Sequence, residues 1–192
     1  MHDSARSMSS CVVAVFFVSA ALLVFARKKH DVKSQLQGSE SLMSRKTHGT
    51  CPKAAPSRLR WNCDQDTADR ICCYNRHYAE HSGYWLGTNF LQELEASKPK
   101  EITFYDTITQ KPLFVAPRGR TWKEFVAESK AHGWPSFRDA EVVEANVRVL
   151  KNGEAVSTDG THLGHNLPDR KGNRYCINLV SVAGVPAEDG EF

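Results

Sequence analysis

An Asn-Gly dipeptide between two strand-rich segments constrains the fold of this chain more than any other sequence feature. Residues 142–150 and 154–157 have strand composition, and Asn152-Gly153 lies between them. Asn-Gly favours the two-residue turn that joins antiparallel strands, because both residues tolerate positive φ. Three further segments have strand composition: 102–105, 113–116 and 174–182. Since no strand alternates with a helix as in a βαβ unit, we predict a mainly β, α+β fold with an antiparallel sheet.

Short helices are expected in the N-terminal half of this fold. Residues 66–81 have helical character, and residues 89–97 begin with a capping Asn and place their apolar residues on one side. Residues 121–132 follow the capping-box pattern, with Thr121 at the N-cap and Glu124 three positions later. Gly133 is expected to end that helix.

An apolar run occupies much of the first 26 residues. No charged residue lies between Arg6 and Arg27, and the run, with its lead-in, just reaches the ~20 residues that span a bilayer. Basic residues follow the run, which favours a cytoplasmic location for that flank. We therefore expect 1–26 to be a single-pass membrane anchor. The alternative is a cleaved signal segment ending at Ala26, which would direct the chain to the secretory pathway or an organelle lumen.

The N-terminal 60 residues and the rest of the chain differ in net charge. Residues 1–60 hold 10 Lys and Arg against 3 Asp and Glu, a net charge of +7, whereas residues 61–192 carry −4. Residues 27–60 are basic and lack apolar periodicity, so we expect a flexible tether before a folded domain at 61–192. A domain without a basic surplus lacks what nucleic-acid binding requires, so nucleic acid is not an expected partner.

The segment 174–179 places a thiol between two polar side chains. Strand side chains alternate between faces, so Arg174, Cys176 and Asn178 share one face. A guanidinium near a thiol favours the reactive thiolate, although a free cysteine is often an ordinary buried residue. Two histidines, His162 and His165, lie three apart in a Gly-containing loop and could act as proton donors near neutral pH. The alternative is a pair of surface histidines.

Three sequence blocks together resemble a known family. GWPSF at 133–137, HLGH at 162–165 and RYCIN at 174–178 resemble, in order and spacing, the signature blocks of the methionine-R-sulfoxide reductases, the MsrB family. Two earlier segments, 82–85 and 111–114, extend the resemblance to about 74–185. It implies a compact antiparallel β fold and reduction of methionine-R-sulfoxide in oxidised proteins. The alternative function is a catalytically silent module that binds methionine-containing segments.

The resemblance also implies roles for individual residues. Cys176 resembles the nucleophile, with Arg174 helping to activate its thiol and Trp134 forming the pocket wall for the substrate methyl. His162, His165 and Asn178 resemble its polar surroundings. The aromatic ring of Phe137, two residues after Pro135, is also suited to an apolar pocket, although a core position for Trp134 is the alternative. Sulfoxide reduction leaves a cysteine sulfenic acid, which an external dithiol such as thioredoxin can reduce, so no cofactor is expected.

This chain departs from the family at the zinc and recycling positions. Many members hold zinc with two Cys-x-x-Cys pairs, where this chain has Asp106, Thr109 and the non-cysteine residues 156–159. We therefore expect no zinc there. His132 also replaces a recycling cysteine that many members carry.

Upstream thiols and histidines form a separate candidate set: Cys63, Cys72, Cys73, His77 and His81. His77 and His81 would share a helical face, and such a set could bind a metal. We expect instead that the Cys72-Cys73 pair is a buried helix end with an exposed thiol. One of the upstream thiols is expected to resolve the sulfenic acid on Cys176. Cys72 and Cys73 are the preferred candidates, and Cys63 is the next.

Overall fold

The computed structural model describes residues 36–186, and within them seven strands form two antiparallel sheets. Strands β1 (Ile102–Tyr105) and β2 (Pro112–Ala116) form one sheet. The other has the order β3-β7-β6-β5-β4. Its strands are β3 (Ser136–Phe137), β4 (Val147–Val149), β5 (Glu154–Ser157), β6 (His162–Asn166) and β7 (Tyr175–Ile177). All pairings between these seven strands are antiparallel, so the predicted fold class is confirmed.

The Asn-Gly turn lies where the sequence predicts it. Gly153 N donates to Leu150 O at 2.9 Å, and Leu150 N donates to Glu154 O at 2.8 Å, which closes the hairpin between β4 and β5. The predicted strands at 142–150 and 174–182 are shorter in the structure. The second ends at Ile177 and is followed by a 3-10 helix, Leu179–Ser181. The predicted histidine loop is instead strand β6.

The described part of the chain contains three α-helices: α1 (Gln65–Asp69), α2 (Phe90–Ser97) and α3 (Trp122–His132). Helix α3 has the predicted capping box between Thr121 and Glu124 and ends at Gly133, whose φ is 89°. Helix α1 continues as one π-helical turn to Tyr74, so the predicted helix over 66–81 is wrong beyond that residue. Residues 75–81 are irregular because their polar groups bind other parts of the fold, as described below.

Residues 36–60 pack on the domain, so the predicted flexible tether is wrong for this segment. Leu36 and Cys51 are fully buried, and Gly38 N donates to Val149 O at 2.9 Å. A disulfide joins Cys51 to Cys73. Composition could not indicate these contacts, because each partner lies far along the chain. Residues 27–35 lie outside the described residues.

The apolar run at 11–26 also lies outside the described residues. Both predictions for this run, a membrane anchor and a cleaved signal segment, concern that part of the chain. Among residues 36–186, no helix is long and apolar enough to cross a bilayer.

An aromatic core joins the strands to α3. Phe137 is fully buried, its ring stacking on Phe114 at 4.3 Å and meeting Phe104 edge-on at 4.9 Å. The prediction that Phe137 lines the substrate pocket is therefore wrong. Strand alternation explains the difference, since Phe137 is the partner of buried Tyr175, whereas the preceding Ser136 is the partner of Cys176.

Candidate active site

Cys176 lies on an interior strand of the larger sheet. Its Cα partners are Ser136 on β3 and His165 on β6. A cavity of about 260 Å³ opens beside it, lined by Ala79, Trp134, Gly164, His165, Leu167, Cys176 and Asn178. The cavity thus brings together four predicted site residues: Cys176, His165, Asn178 and Trp134. The other three, His162, Arg174 and Phe137, do not line it.

Gly164 allows β6 to approach β7 closely at this cavity. A Cβ atom at Gly164 would lie 2.1 Å from the backbone oxygen of Cys176 and 3.0 Å from Ile177 Cα. Neither contact can be relieved by rotating a side chain. The glycine between the two histidines is therefore needed for the spacing that sets His165 opposite Cys176.

Burial and charge act in opposite directions on the Cys176 thiol. Burial raises its pKa, and the charge of the Arg174 guanidinium and a hydrogen bond with it act to lower that pKa. The negative charge of Glu80 raises it further, and the net shift is upward. The predicted influence of Arg174 has the expected sign but does not outweigh burial. The protonated thiol is therefore the resting form at neutral pH.

Arg174 is 7% exposed and lies between the thiol and an acidic side chain. Its Nε is 3.7 Å from Oδ2 of Asp169. Its Nε and Nη1 atoms are buried and have no hydrogen-bond partner within the described part of the chain. Arg174 therefore acts on the thiol mainly through its charge.

The two histidines occupy different positions. His165 is half-buried on the cavity wall, whereas His162 is 1% exposed behind it, with 5.6 Å between ring centroids. Burial lowers the pKa of His165, the charges of His162 and His77 lower it further, and that of Glu154 opposes them. His165 is therefore the histidine placed to exchange a proton with a group in the cavity.

Glu80 is a site residue that the sequence analysis missed. Its carboxylate is 4% exposed and accepts hydrogen bonds from the backbone N–H groups of Leu179 and Val180, at 2.8 and 3.2 Å. Burial raises its pKa to about 7, against the lowering effect of these two bonds. No sequence signal connects Glu80 to the cavity, because its partners lie about 100 residues later.

The backbone of Glu80 also joins two walls of the cavity. Its carbonyl oxygen accepts a hydrogen bond from Trp134 Nε1 at 3.1 Å, and its N–H donates to Asn178 Oδ1 at 3.1 Å. The Nδ2 group of Asn178 donates to Leu163 O. These hydrogen bonds fix the orientations of Trp134 and Asn178 in the cavity wall.

The three upstream cysteines that were predicted to resolve the sulfenic acid differ in their bonding and burial. Cys73 is bonded to Cys51, so the prediction that it is a free resolving thiol is wrong for this state of the protein. Cys63 and Cys72 are free but buried, and burial raises the pKa of both thiols. A protonated, buried thiol reacts slowly with a sulfenic acid.

The upstream set does not assemble as a metal site. His77 and His81 are exposed and lie beyond the end of the helix, so they do not share a helical face. At the first family zinc position, Asp106 is fully buried and its Oδ1 accepts from Thr161 Oγ1 at 3.0 Å and from Ile108 N at 2.8 Å. Hydroxyls and one carboxylate do not fit a structural zinc site, which uses thiolates and imidazoles.

Within residues 36–186, one group of side chains has metal-binding geometry: Glu128, His132 and Asp169. Both carboxylates of this group already form ion pairs with Arg138.

Part of the chain is similar to a curated protein, the peptide methionine sulfoxide reductase MsrB of Methanosarcina mazei. The two are 42% identical over 67 residues, which is 30% of this chain and 48% of that protein. The chain thus spans about half the length of that relative. No protein-family model matches the chain, and no solved structure matches it.

Proposed function

We propose that this chain reduces methionine-R-sulfoxide in proteins to methionine, through a sulfenic acid on Cys176. The observation that carries the proposal is the placement of Cys176 directly opposite His165 in a cavity walled by Trp134. The partial similarity to a peptide methionine sulfoxide reductase supports it. A nucleophile, a proton-exchanging group and an apolar wall are the three components that this reaction needs.

The resting protonation states suit a proton transfer between the paired residues. The Cys176 thiol has a raised pKa and His165 a lowered one, so a thiol lies opposite a neutral imidazole at pH 7. His165 takes the thiol proton as the sulfur attacks the sulfoxide sulfur. The imidazolium then donates that proton to the sulfoxide oxygen, and Trp134 contacts the methyl group on the substrate sulfur.

The electrons and atoms balance as follows. The new bond joins Sγ of Cys176 to the substrate sulfur, and the S–O bond breaks after a second proton arrives, which releases water. Water then attacks Sγ and breaks the S–S bond, giving cysteine sulfenic acid and methionine and returning one proton. The substrate sulfur is reduced by two electrons, and the Cys176 sulfur is oxidised by two.

An external dithiol of the thioredoxin kind completes the proposed cycle. Its first thiol condenses with the sulfenic acid and releases water, and its second thiol breaks the mixed disulfide to restore Cys176. The burial of Cys63 and Cys72 supports direct reduction by an external thiol over resolution within the chain.

The test is turnover of peptides that contain one methionine sulfoxide of known epimer, with dithiothreitol as reductant. We expect the R epimer to be reduced and the S epimer to persist. Cys176→Ser should reduce neither, because an alcohol is a poor nucleophile near pH 7. Cys63→Ser, which removes a thiol outside the cavity, is the matched control. Binding of the peptide without turnover by the unsubstituted chain would instead indicate a binding module.

A further inference from the structure

A buried carboxylate lies behind the two histidines. Glu154 on β5 is 1% exposed, and its Oε1 is 2.8 Å from Nδ1 of His162. The His162 ring in turn contacts the ring of His165 in an edge-on arrangement. Glu154 does not line the cavity. Any effect of this carboxylate on a substrate is therefore transmitted through the two imidazoles.

Arg76 holds the other side of the same carboxylate. Its Nη2 is 2.6 Å from Glu154 Oε2, its Nε is 3.1 Å from both carboxylate oxygens, and its Nη1 reaches Glu40 at 2.5 Å. Burial acts to raise the pKa of Glu154, but its hydrogen bonds with His162 and Arg76 outweigh burial and lower that pKa to about 2. Glu154 is therefore ionised at any pH at which the protein is expected to work.

An ionised carboxylate at Nδ1 determines the state of the His162 ring. A carboxylate can only accept hydrogen bonds, so Nδ1 of His162 must carry a proton. The same contact fixes the ring plane, because both partners are buried.

We propose that Glu154 is a positioning residue for the chemistry of Cys176: it holds the His162 ring in one orientation, and that ring, in edge-on contact with His165, keeps His165 opposite the thiol. This inference rests on the proposed function and concerns the same site. The charge of Glu154 opposes the effects that lower the pKa of His165. A weaker base at that position would leave the thiol of Cys176 protonated and unreactive.

Titratable and charged groups from several elements act on His165 and Cys176 or on their neighbours. They are Arg76 and His77 after the π-helical turn, Glu80 in the irregular segment, Glu154 on β5, His162 on β6, and Arg174 immediately before β7. Of these groups, Glu154 carries the negative charge that raises the pKa of His165. Its removal should therefore lower that pKa further.

Glu154→Gln tests the proposal, because it removes the charge and keeps the shape and an acceptor oxygen. Glu141→Gln is the matched control. Glu141 is also fully buried and pairs with an arginine, Arg120, at 2.6 Å, but it is not among the residues that contact either histidine or line the cavity. Both variants lose one buried negative charge, so a general loss of stability affects both.

Three measurements compare these variants with the unsubstituted chain. The first is the rate of reduction of an R-sulfoxide peptide, and the second is its pH profile. The third is the ¹⁵N spectrum of histidine-labelled protein, which reports which nitrogen of His162 carries the proton independently of turnover.

We expect Glu154→Gln to slow reduction by about 10-fold to 100-fold, the range found for carboxylates that orient metal-binding histidines. The low-pH limb of its profile should move to lower pH, since the pKa of His165 falls, and His162 should lose its preference for a proton on Nδ1. Glu141→Gln should change none of the three. Equal behaviour of the two variants would overturn the proposal.

A second variant covers the case in which Glu154→Gln does not fold. Arg76→Gln, at a side chain that is 25% exposed, removes the support of Glu154 and should shift the same three measurements in the same directions by smaller amounts. Unchanged values would overturn the proposal. If the unsubstituted chain reduces no sulfoxide, the proposed function fails. The ¹⁵N comparison then still determines whether Glu154 orients His162.

Discussion

His165 and Cys176 are direct Cα partners on adjacent antiparallel strands. Side chains of such partners have Cβ atoms about 4.5–5.5 Å apart, which permits proton exchange between an imidazole and a thiol. The strand register therefore sets the relation between the proposed base and nucleophile, without a loop that must close.

Replacement of His165 by Ala should slow R-sulfoxide reduction by about 10² to 10⁴-fold and leave the fold intact. The reason is that a positioned acid–base group contributes a factor of that size, while the half-buried ring contributes little to the core. Steady-state rates with dithiothreitol measure the effect. His81→Ala, at an exposed histidine outside the cavity, is the control and should retain the normal rate. A normal rate in His165→Ala would remove this residue from the mechanism.

Gly164→Ala should destabilise the protein by about 1–3 kcal/mol, the cost of overpacking a tight contact. The new Cβ would meet the backbone oxygen of Cys176 at 2.1 Å, so β6 and β7 must separate. Activity should fall with stability, since the same two strands carry His165 and Cys176. Thermal unfolding gives the comparison with Gly87→Ala, where a Cβ meets no atom within 4 Å. Equal stability of the two variants would contradict the structure at this contact.

Glu80 should make the free energy of unfolding depend on pH. Its pKa is about 7 in the folded protein and 4.5 when exposed, so between these values the folded state holds a proton that the unfolded state releases. Stability from this group is thus fully present below pH 4.5 and is lost as pH rises through 7. The change is on the order of 3 kcal/mol, from 1.36 kcal/mol per unit of pKa.

Urea unfolding of the unsubstituted chain and Glu80→Gln across this pH range measures the contribution of Glu80. The difference in free energy of unfolding between the two should change across the range, because glutamine does not titrate. A constant difference would show that Glu80 has an ordinary pKa.

Loss of the Cys51–Cys73 disulfide should lower the free energy of unfolding by about 3 kcal/mol. The bond closes a loop between residues 22 apart, and loops of this size gain such an amount from restriction of the unfolded chain. The double variant Cys51→Ser/Cys73→Ser provides the measurement, with Cys63→Ser as the control for loss of a buried thiol. A stability loss no larger than in that control would argue against the bond.

The same disulfide is an argument about the cellular compartment in which the domain lies. Disulfides persist in oxidising compartments, so we propose a lumenal or secreted location for the domain over a cytoplasmic one. Thiol alkylation before cell lysis, followed by mass spectrometry, should find Cys51 and Cys73 protected. Alkylation of both would favour the cytoplasmic alternative.

The sequence by itself determined features that depend on neighbours along the chain. The capping box of α3, the Asn152-Gly153 turn and the antiparallel class of the sheet all follow from local propensity and spacing. The alternation over 174–179 predicted that Arg174, Cys176 and Asn178 share a face. Cys176 and Asn178 line the cavity, and Arg174 does not. Such signals are readable because a strand or a helix end requires only a few adjacent residues.

Only the tertiary structure decided which distant residues meet. Phe137 and Trp134 lie three residues apart, yet one belongs to the core and the other to the cavity, because β3 pairs with β7 in one register. The link from Glu154 to His162 depends on how β5 pairs with β6, and the contacts of Glu80 cross about 100 residues. A one-residue change of register would send each side chain of a strand to the opposite face, so the register in which distant strands bury their apolar faces decides which residues meet.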